Sequence, residues 1–288
     1  MDVDDRVRHD EPRLVRVGDV ELCSDAFGEP DDPPVLLVMG LGAQLVHWPD
    51  DLCRLLAGEG FRVIRFDNRD AGLSTHLPGG RYTLEDMAED AVGLLDALGV
   101  GSAHVVGASL GGMVAQTMAI RHPDRVRSLA SLMSTTGRRG RGRTSVRVLR
   151  HLLGRRPRTV EEAIERRVRV FATVGSRGLR QDVDELRRIS ALAYQREPDD
   201  LGGRRRQLRA VRAAGDRTAA LRGVTVPTVV VHGTDDRMCA PSGGRATAAA
   251  VPGARLELIA GMGHDLPRSA WPQLVAAIVD NARRAGEA

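Results

Sequence analysis

Five residues, Gly107-Ala108-Ser109-Leu110-Gly111, stand between a short apolar run, His104 to Val106, and a helical pattern, Val114 to Ile120. A strand that reverses into a helix over so short a turn holds its central residue at strained dihedrals. The residues two positions away are pressed together, and glycine alone fits there without a Cβ clash. This G-x-S-x-G turn therefore predicts the end of a covered strand, with the Ser109 hydroxyl lifted out at the start of a helix. The free N–H groups of that helix favour developing negative charge.

The surrounding chain supplies a sheet for such a turn. Leu14 to Val17 and Val20 to Cys23 flank Gly18-Asp19, a two-residue hairpin turn. Val35 to Met39 is continuously apolar, as in a sheet covered on both faces. Further strand patterns lie at Arg62 to Phe66, Val126 to Met133, Thr228 to His232 and Arg255 to Ile259. Helical patterns separate them at Asp51 to Ala57, Leu84 to Leu98, Leu110 to Arg121, Gly244 to Ala250 and Trp271 to Arg283. The alternation predicts an α/β fold with a doubly wound, mostly parallel sheet.

Between Gly137 and Arg222 the alternation stops. Helical spacing runs through Val146 to Leu153, Val160 to Thr173, Val183 to Arg196 and Arg204 to Ala214. The same stretch holds 24 arginines against 10 acidic residues, while the chain as a whole has a net charge of only +4. Residues 1–136 and 223–288 thus read as an α/β core domain, and 137–222 as an inserted helical, Arg-rich cap. The RRGRGR run at Arg138 to Arg143 reads as a mobile hinge. The insert's arginines alternate with Glu, Asp, Val, Leu and Ala, and aromatic residues make up 3% of the chain. With so few rings for base stacking, a solvated helical surface is expected and no nucleic-acid partner.

Composition removes whole classes of chemistry. All 42 cationic residues are arginine, so no phosphate-loop lysine, Schiff-base lysine or Ser–Lys dyad can exist. Cys23, Cys53 and Cys239 lie far apart without CxxC spacing, which excludes a cysteine zinc site and a disulfide framework and fits a reducing cytoplasm. The longest apolar run is too short to cross a bilayer, and MDVDDRVRHDEP has no apolar core of a secretory signal. No His or carboxylate pair stands at metal-ligand spacing, and neither a metal nor a cofactor is expected. Nothing in the sequence bears on oligomeric state.

Serine needs a base, and the base an acid to orient it. On a sheet of this kind the chain order is Ser, then Asp or Glu, then His. Beyond His122, at the very end of the helix after Ser109, three histidines follow: His151 in the insert, His232 within a strand pattern, and His264 in the loop Gly261-Met262-Gly263-His264-Asp265. Elimination and position select His264 as base. The acid falls in Asp235-Asp236, just past the strand Thr228 to His232, where such sites assemble. Trp48 and Trp271 read as packing residues, Asp67 and Arg69 as stabilisers of their loop, and Cys239 as inert; His47 fits a pocket wall and a surface equally.

These residues resemble the α/β-hydrolase family over nearly the whole chain outside the insert. Val35-Leu-Leu-Val-Met-Gly-Leu-Gly is similar to the family's strand and oxyanion loop, with Met39-Gly40 where His-Gly is familiar. Asp67-Asn-Arg-Asp-Ala-Gly-Leu-Ser resembles its Asp-x-Arg-Gly-x-Gly-x-Ser turn, with Asp70 in place of the first glycine. Within the family the chain looks closest to aclacinomycin-methylesterase-like enzymes acting on aromatic polyketides. The resemblance implies Asp236, three residues after Gly233, as the acid, with Asp235 the fallback; the alternative acid location falls at Ser134-Thr135-Thr136, which holds no carboxylate. It also implies oxyanion donors at the backbone N–H groups of Leu41 and Leu110.

The expectation is a cofactor-free serine hydrolase in which Ser109 attacks, His264 moves the proton and Asp236 fixes the imidazole. Its partner is a small-molecule ester, with no membrane and no nucleic acid. Alternatives on the same triad are a cofactor-free haloperoxidase or perhydrolase and a C–C bond hydrolase. A non-catalytic small-ligand or nucleic-acid binding protein is the alternative of another class. Serine at the elbow, where an aspartate would be required, excludes haloalkane dehalogenases and epoxide hydrolases.

Overall fold

The computed structural model describes residues 6–145, 148, 157–197 and 201–286. The helical pattern read at Val146 to Leu153 and His151 itself lie outside the described residues, apart from Val148. Eight strands form one sheet: β1 (His9–Val17), β2 (Val20–Phe27), β3 (Pro34–Val38), β4 (Arg62–Phe66), β5 (Ala103–Ala108), β6 (Val126–Leu132), β7 (Thr228–Gly233) and β8 (Arg255–Ile259). Their spatial order is β1-β2-β4-β3-β5-β6-β7-β8. β2 runs antiparallel to both β1 and β4, and every other pair is parallel. All ends from β3 onward consequently open on one edge, where the loops that follow them meet.

Helices cover both faces. α1 (Asp50–Ala57) follows β3, α2 (Leu84–Ala97) follows β4, and α3 (Leu110–Arg121) follows β5. Between β6 and β7 come α4 (Val160–Val174), α5 (Val183–Arg196), α6 (Leu201–Ala213) and the short α7 (Thr218–Leu221). α8 (Ser242–Ala250) and α9 (Trp271–Arg283) complete the chain. The alternation of strand side chains decides which face each helix meets. Leu36 and Val38 join the core under α2 and α3, with Leu84, Leu94, Val114 and Met118. Val35 and Leu37 point the other way, toward Leu52 and Leu56 of α1 and Leu274 and Ile278 of α9. The doubly wound, mostly parallel sheet is the architecture that the pattern of apolar runs predicted.

The helices between β6 and β7 rest on the sheet and its loops at defined places. Ile189 and Ala193 of α5 pack on Cys23, Leu45 and Val46. The hinge expected at Arg138 to Arg143 carries turns rather than helix or strand, yet it is fastened. The Gly137 and Arg138 amides donate to the Thr135 and Thr136 hydroxyls, and the Gly142 amide donates to Ser242 Oγ. Among the described residues, no helix is long and apolar enough to cross a membrane.

Candidate active site

Ser109 stands between β5 and α3 with φ 57° and ψ −117°, a region that L-residues occupy only under strain. The glycines around it show what permits the turn. A Cβ on Gly107 would lie 2.1 Å from the Gly111 carbonyl oxygen, and one on Gly111 would lie 2.0 Å from that of Val38. The backbone is tied behind the turn: the Ser109 amide donates to the Leu132 carbonyl, and Ser134 Oγ donates to the Ser109 carbonyl at 2.7 Å. The hydroxyl side chain is left facing the loops beyond the sheet edge.

His264 Nε2 lies 3.0 Å from Ser109 Oγ, and His264 Nδ1 lies 2.7 Å from Asp236 Oδ2. A carboxylate only accepts, so Nδ1 carries the proton and Nε2 is free to accept from the serine. Asp236 comes just past the end of β7, and its carboxylate is fully enclosed. Oδ1 accepts from the Met238 and Cys239 amides, each at 2.8 Å. Burial pushes the carboxyl up, but electrostatic attraction to His264, hydrogen bonds from His264 and the Cys239 amide, and His232 Nε2 at 3.4 Å outweigh it and hold the group at about 2. Asp235, the other acid allowed by spacing, is exposed, with its carboxylate against Thr234 Oγ1. His232 is wholly buried and donates from Nε2 to the Cys239 carbonyl, so it supports the acid loop and does not reach Ser109.

The loop after β3 passes beside Ser109. A Cβ on Gly40 would sit 3.2 Å from Ser109 Cβ, so a glycine there lets this backbone run close to the nucleophile. Asn68 Nδ2 holds the loop by donating to the Met39 carbonyl, and Gln207 Oε1 accepts from the Gly42 amide at 2.7 Å. Neither the Leu41 nor the Leu110 amide donates to a protein acceptor among the described residues. Leu110 directly follows Ser109 in the chain, and Leu41 directly follows Gly40, whose backbone passes beside Ser109.

The remaining residues singled out by sequence have mechanical places. Asp67 accepts from the Leu45 amide at 2.6 Å and the Leu73 amide at 3.0 Å; Arg69 forks onto Asp90. Burial lifts the Asp67 carboxyl despite the neighbouring Arg196. His47 is half-buried and accepts from the Gln44 amide through Nδ1, in a capping box for the turn 45–47. Burial, with the charge of Arg167, lowers its pKa well below the ordinary value. Trp48 and Trp271 are buried in the core, and Cys239 is buried with its thiol pushed up by that burial. Three residues make contacts at the site to which the sequence reading gave no role: Asn68, Gln207 and Ser134. Gln207 lies on a helix 165 residues from the loop it holds, so no local pattern could have indicated it.

The alpha/beta hydrolase fold family matches residues 33–267. Rhodomycin D methylesterase DnrP of Streptomyces peucetius is 32% identical over 297 residues, covering 95% of this chain and 98% of the relative. Rhodomycin D methylesterase DauP of Streptomyces sp. (strain C5) is 31% identical over 310 residues, with the same coverage. Among solved structures, the enol-lactonase from Burkholderia xenovorans LB400 superposes with a TM-score of 0.75 at 26% identity, over 94% of this chain and all of that one.

Proposed function

The chain belongs to the α/β-hydrolase family, and we propose from that premise that it cleaves carboxylic esters through an acyl-enzyme formed on Ser109. The observation that carries this reading is the relay from Ser109 through His264 to Asp236, at 3.0 and 2.7 Å. Ser109 Oγ attacks the acyl carbon while His264 Nε2 takes its proton. The enclosed Asp236 carboxylate holds the imidazole tautomer and stabilises the imidazolium. Amides of Leu41 and Leu110 receive the oxyanion, aided by the N-terminus of α3. His264 then returns the proton to the departing alcohol, and water repeats the sequence to release the acid.

The substrate class is a methyl ester on a bulky, apolar, polyketide-type acid. Support comes from the two methylesterase relatives, each aligned over nearly its full length. Residues 137–222 act as the cap that shapes the acyl pocket, a role supported by contacts of Arg196, Arg206 and Gln207 with loops beside Ser109. The arginines on its outer face serve solvation and no nucleic acid. Three free, buried cysteines support a reducing, cytoplasmic setting.

A panel of methyl, acetyl and longer acyl esters tests this reading. Wild-type protein should release acid and alcohol, most rapidly from bulky methyl esters. Ser109→Ala should lose on the order of 10⁶ in kcat. Retention of more than about a tenth of the rate, roughly 1.4 kcal/mol of barrier, would contradict it.

A further inference from the structure

The base His264 lies in a loop without regular structure. β8 ends at Ile259, and helix does not resume until the turn at Arg268–Ala270 before α9. Asp236 and Ser109 engage only the imidazole. The backbone from which that ring projects is held by the turn that follows α4 in the insert. The Val174 carbonyl accepts from the His264 amide at 2.7 Å, and the Gly178 amide donates to the Gly261 carbonyl at 3.2 Å. Between these two bonds lies Ser176, which is 5% exposed. Its amide and hydroxyl both donate to Asp265 Oδ1, at 2.9 and 2.6 Å, and its hydroxyl oxygen accepts from the Gly263 amide at 2.9 Å. The residues immediately before and after His264 are therefore fixed by one serine. The two backbones also meet more closely than a side chain would allow, since a Cβ on Gly263 would lie 2.3 Å from the Gly175 carbonyl carbon.

We propose that Ser176 is a positioning residue for His264, acting from the insert through Asp265 and the Gly263 amide. The proposal rests on the ester-hydrolase reading of Ser109 and His264. Geometry gives it force: proton transfer to Nε2 needs the imidazole within hydrogen-bond reach of Ser109, and a displacement of about 1 Å can cost up to roughly 10² in rate. The insert thus contributes a wall to the pocket and also part of the seat of the base.

The test compares Ser176→Ala, Asp265→Ala and Asp265→Asn by steady-state kinetics on p-nitrophenyl acetate and by the downfield proton NMR signal of His264 Nδ1–H. Ser176→Ala and Asp265→Ala should lower kcat by about tenfold or more, with KM changed less than about twofold. The downfield signal should broaden in both. Asp265→Asn, whose amide oxygen can still accept from the Ser176 amide and hydroxyl, should recover most of the loss in rate. A folded Ser176→Ala protein with wild-type kcat and an unchanged signal would overturn the proposal. Should Ser176→Ala fail to fold, equal rates and signals in Asp265→Ala and wild type would overturn it instead. Failure of the hydrolase reading looks different, because Ser109→Ala would then turn over ester like wild type while the NMR comparison still reports on the seat of His264.

Discussion

Asp235 and Asp236 are neighbours of identical chemistry, yet their surroundings separate them. Asp236 is enclosed and receives two amides and an imidazole; Asp235 faces solvent. Asp236→Asn should leave His264 without the acceptor that fixes its tautomer and cost up to roughly 10⁴ in kcat, whereas Asp235→Asn should cost far less. Steady-state kinetics on one ester decides the order, and a larger loss for Asp235→Asn would move the acid by one residue. The same carboxylate links stability to pH. Its folded value of about 2 lies below the ordinary 3.8, so its contribution is complete above about pH 5 and is lost as pH falls through 2. That contribution is about 2 kcal/mol, half of it gone by about pH 3. Urea unfolding of wild type and Asp236→Asn should therefore give a stability gap that narrows between pH 7 and pH 3. A constant gap would show that the carboxylate is not held down. Ser109 is legible in sequence because a strained turn needs glycines at fixed offsets. Asp236 is not, since spacing alone permits either aspartate and it is burial and the hydrogen bonds from His264, Met238 and Cys239 that distinguish them.

At the level of elements, the helices between β6 and β7 are held by arginines that reach out to other loops. Arg196 of α5 reaches Asp67 at 2.5 Å, and Arg206 of α6 forks onto Asp70 at 2.8 and 2.6 Å. Arg217, just before α7, is buried and donates to the Thr135 carbonyl. Asp70 occupies a left-handed position, φ 66°, where the related turn has glycine. Its carboxylate, side chain 0% exposed, also accepts from the Leu77 amide. Truncating one partner of such a buried pair costs on the order of 3–5 kcal/mol, because the other charge is left without compensation. Arg206→Ala should therefore speed amide hydrogen exchange across α6 while leaving the central strand β6 protected. An unchanged α6, or equal loosening of β6, would contradict a latch local to α6. Helical spacing read these arginines as a solvated face. The reading suits pairs such as Arg188 with Glu185, but it misses Arg196 and Arg206, whose partners lie 129 and 136 residues away. Strand and helix positions were legible because each is written in local periodicity; the docking of α5 and α6 was not, because its partners are remote.

Across the whole molecule, the parallel sheet brings the ends of β3, β5, β7 and β8 to one edge. The loop through Met39 to Gly42, Ser109, Asp236 and His264 each follow one of those ends. Chain order and topology thus do most of the assembly before any side chain is placed. Helices between β6 and β7 also reach this edge, with Gln207 on the Gly42 amide and the Val174 carbonyl on the His264 amide. The central claim is that this edge forms an acyl-enzyme on Ser109, and covalent labelling tests it most directly. A fluorophosphonate probe followed by peptide mass spectrometry should place a single adduct on Ser109 in wild type. The adduct should form far more slowly in His264→Ala, where the base is missing. No adduct on Ser109, or one that forms at the wild-type rate without His264, would contradict the account.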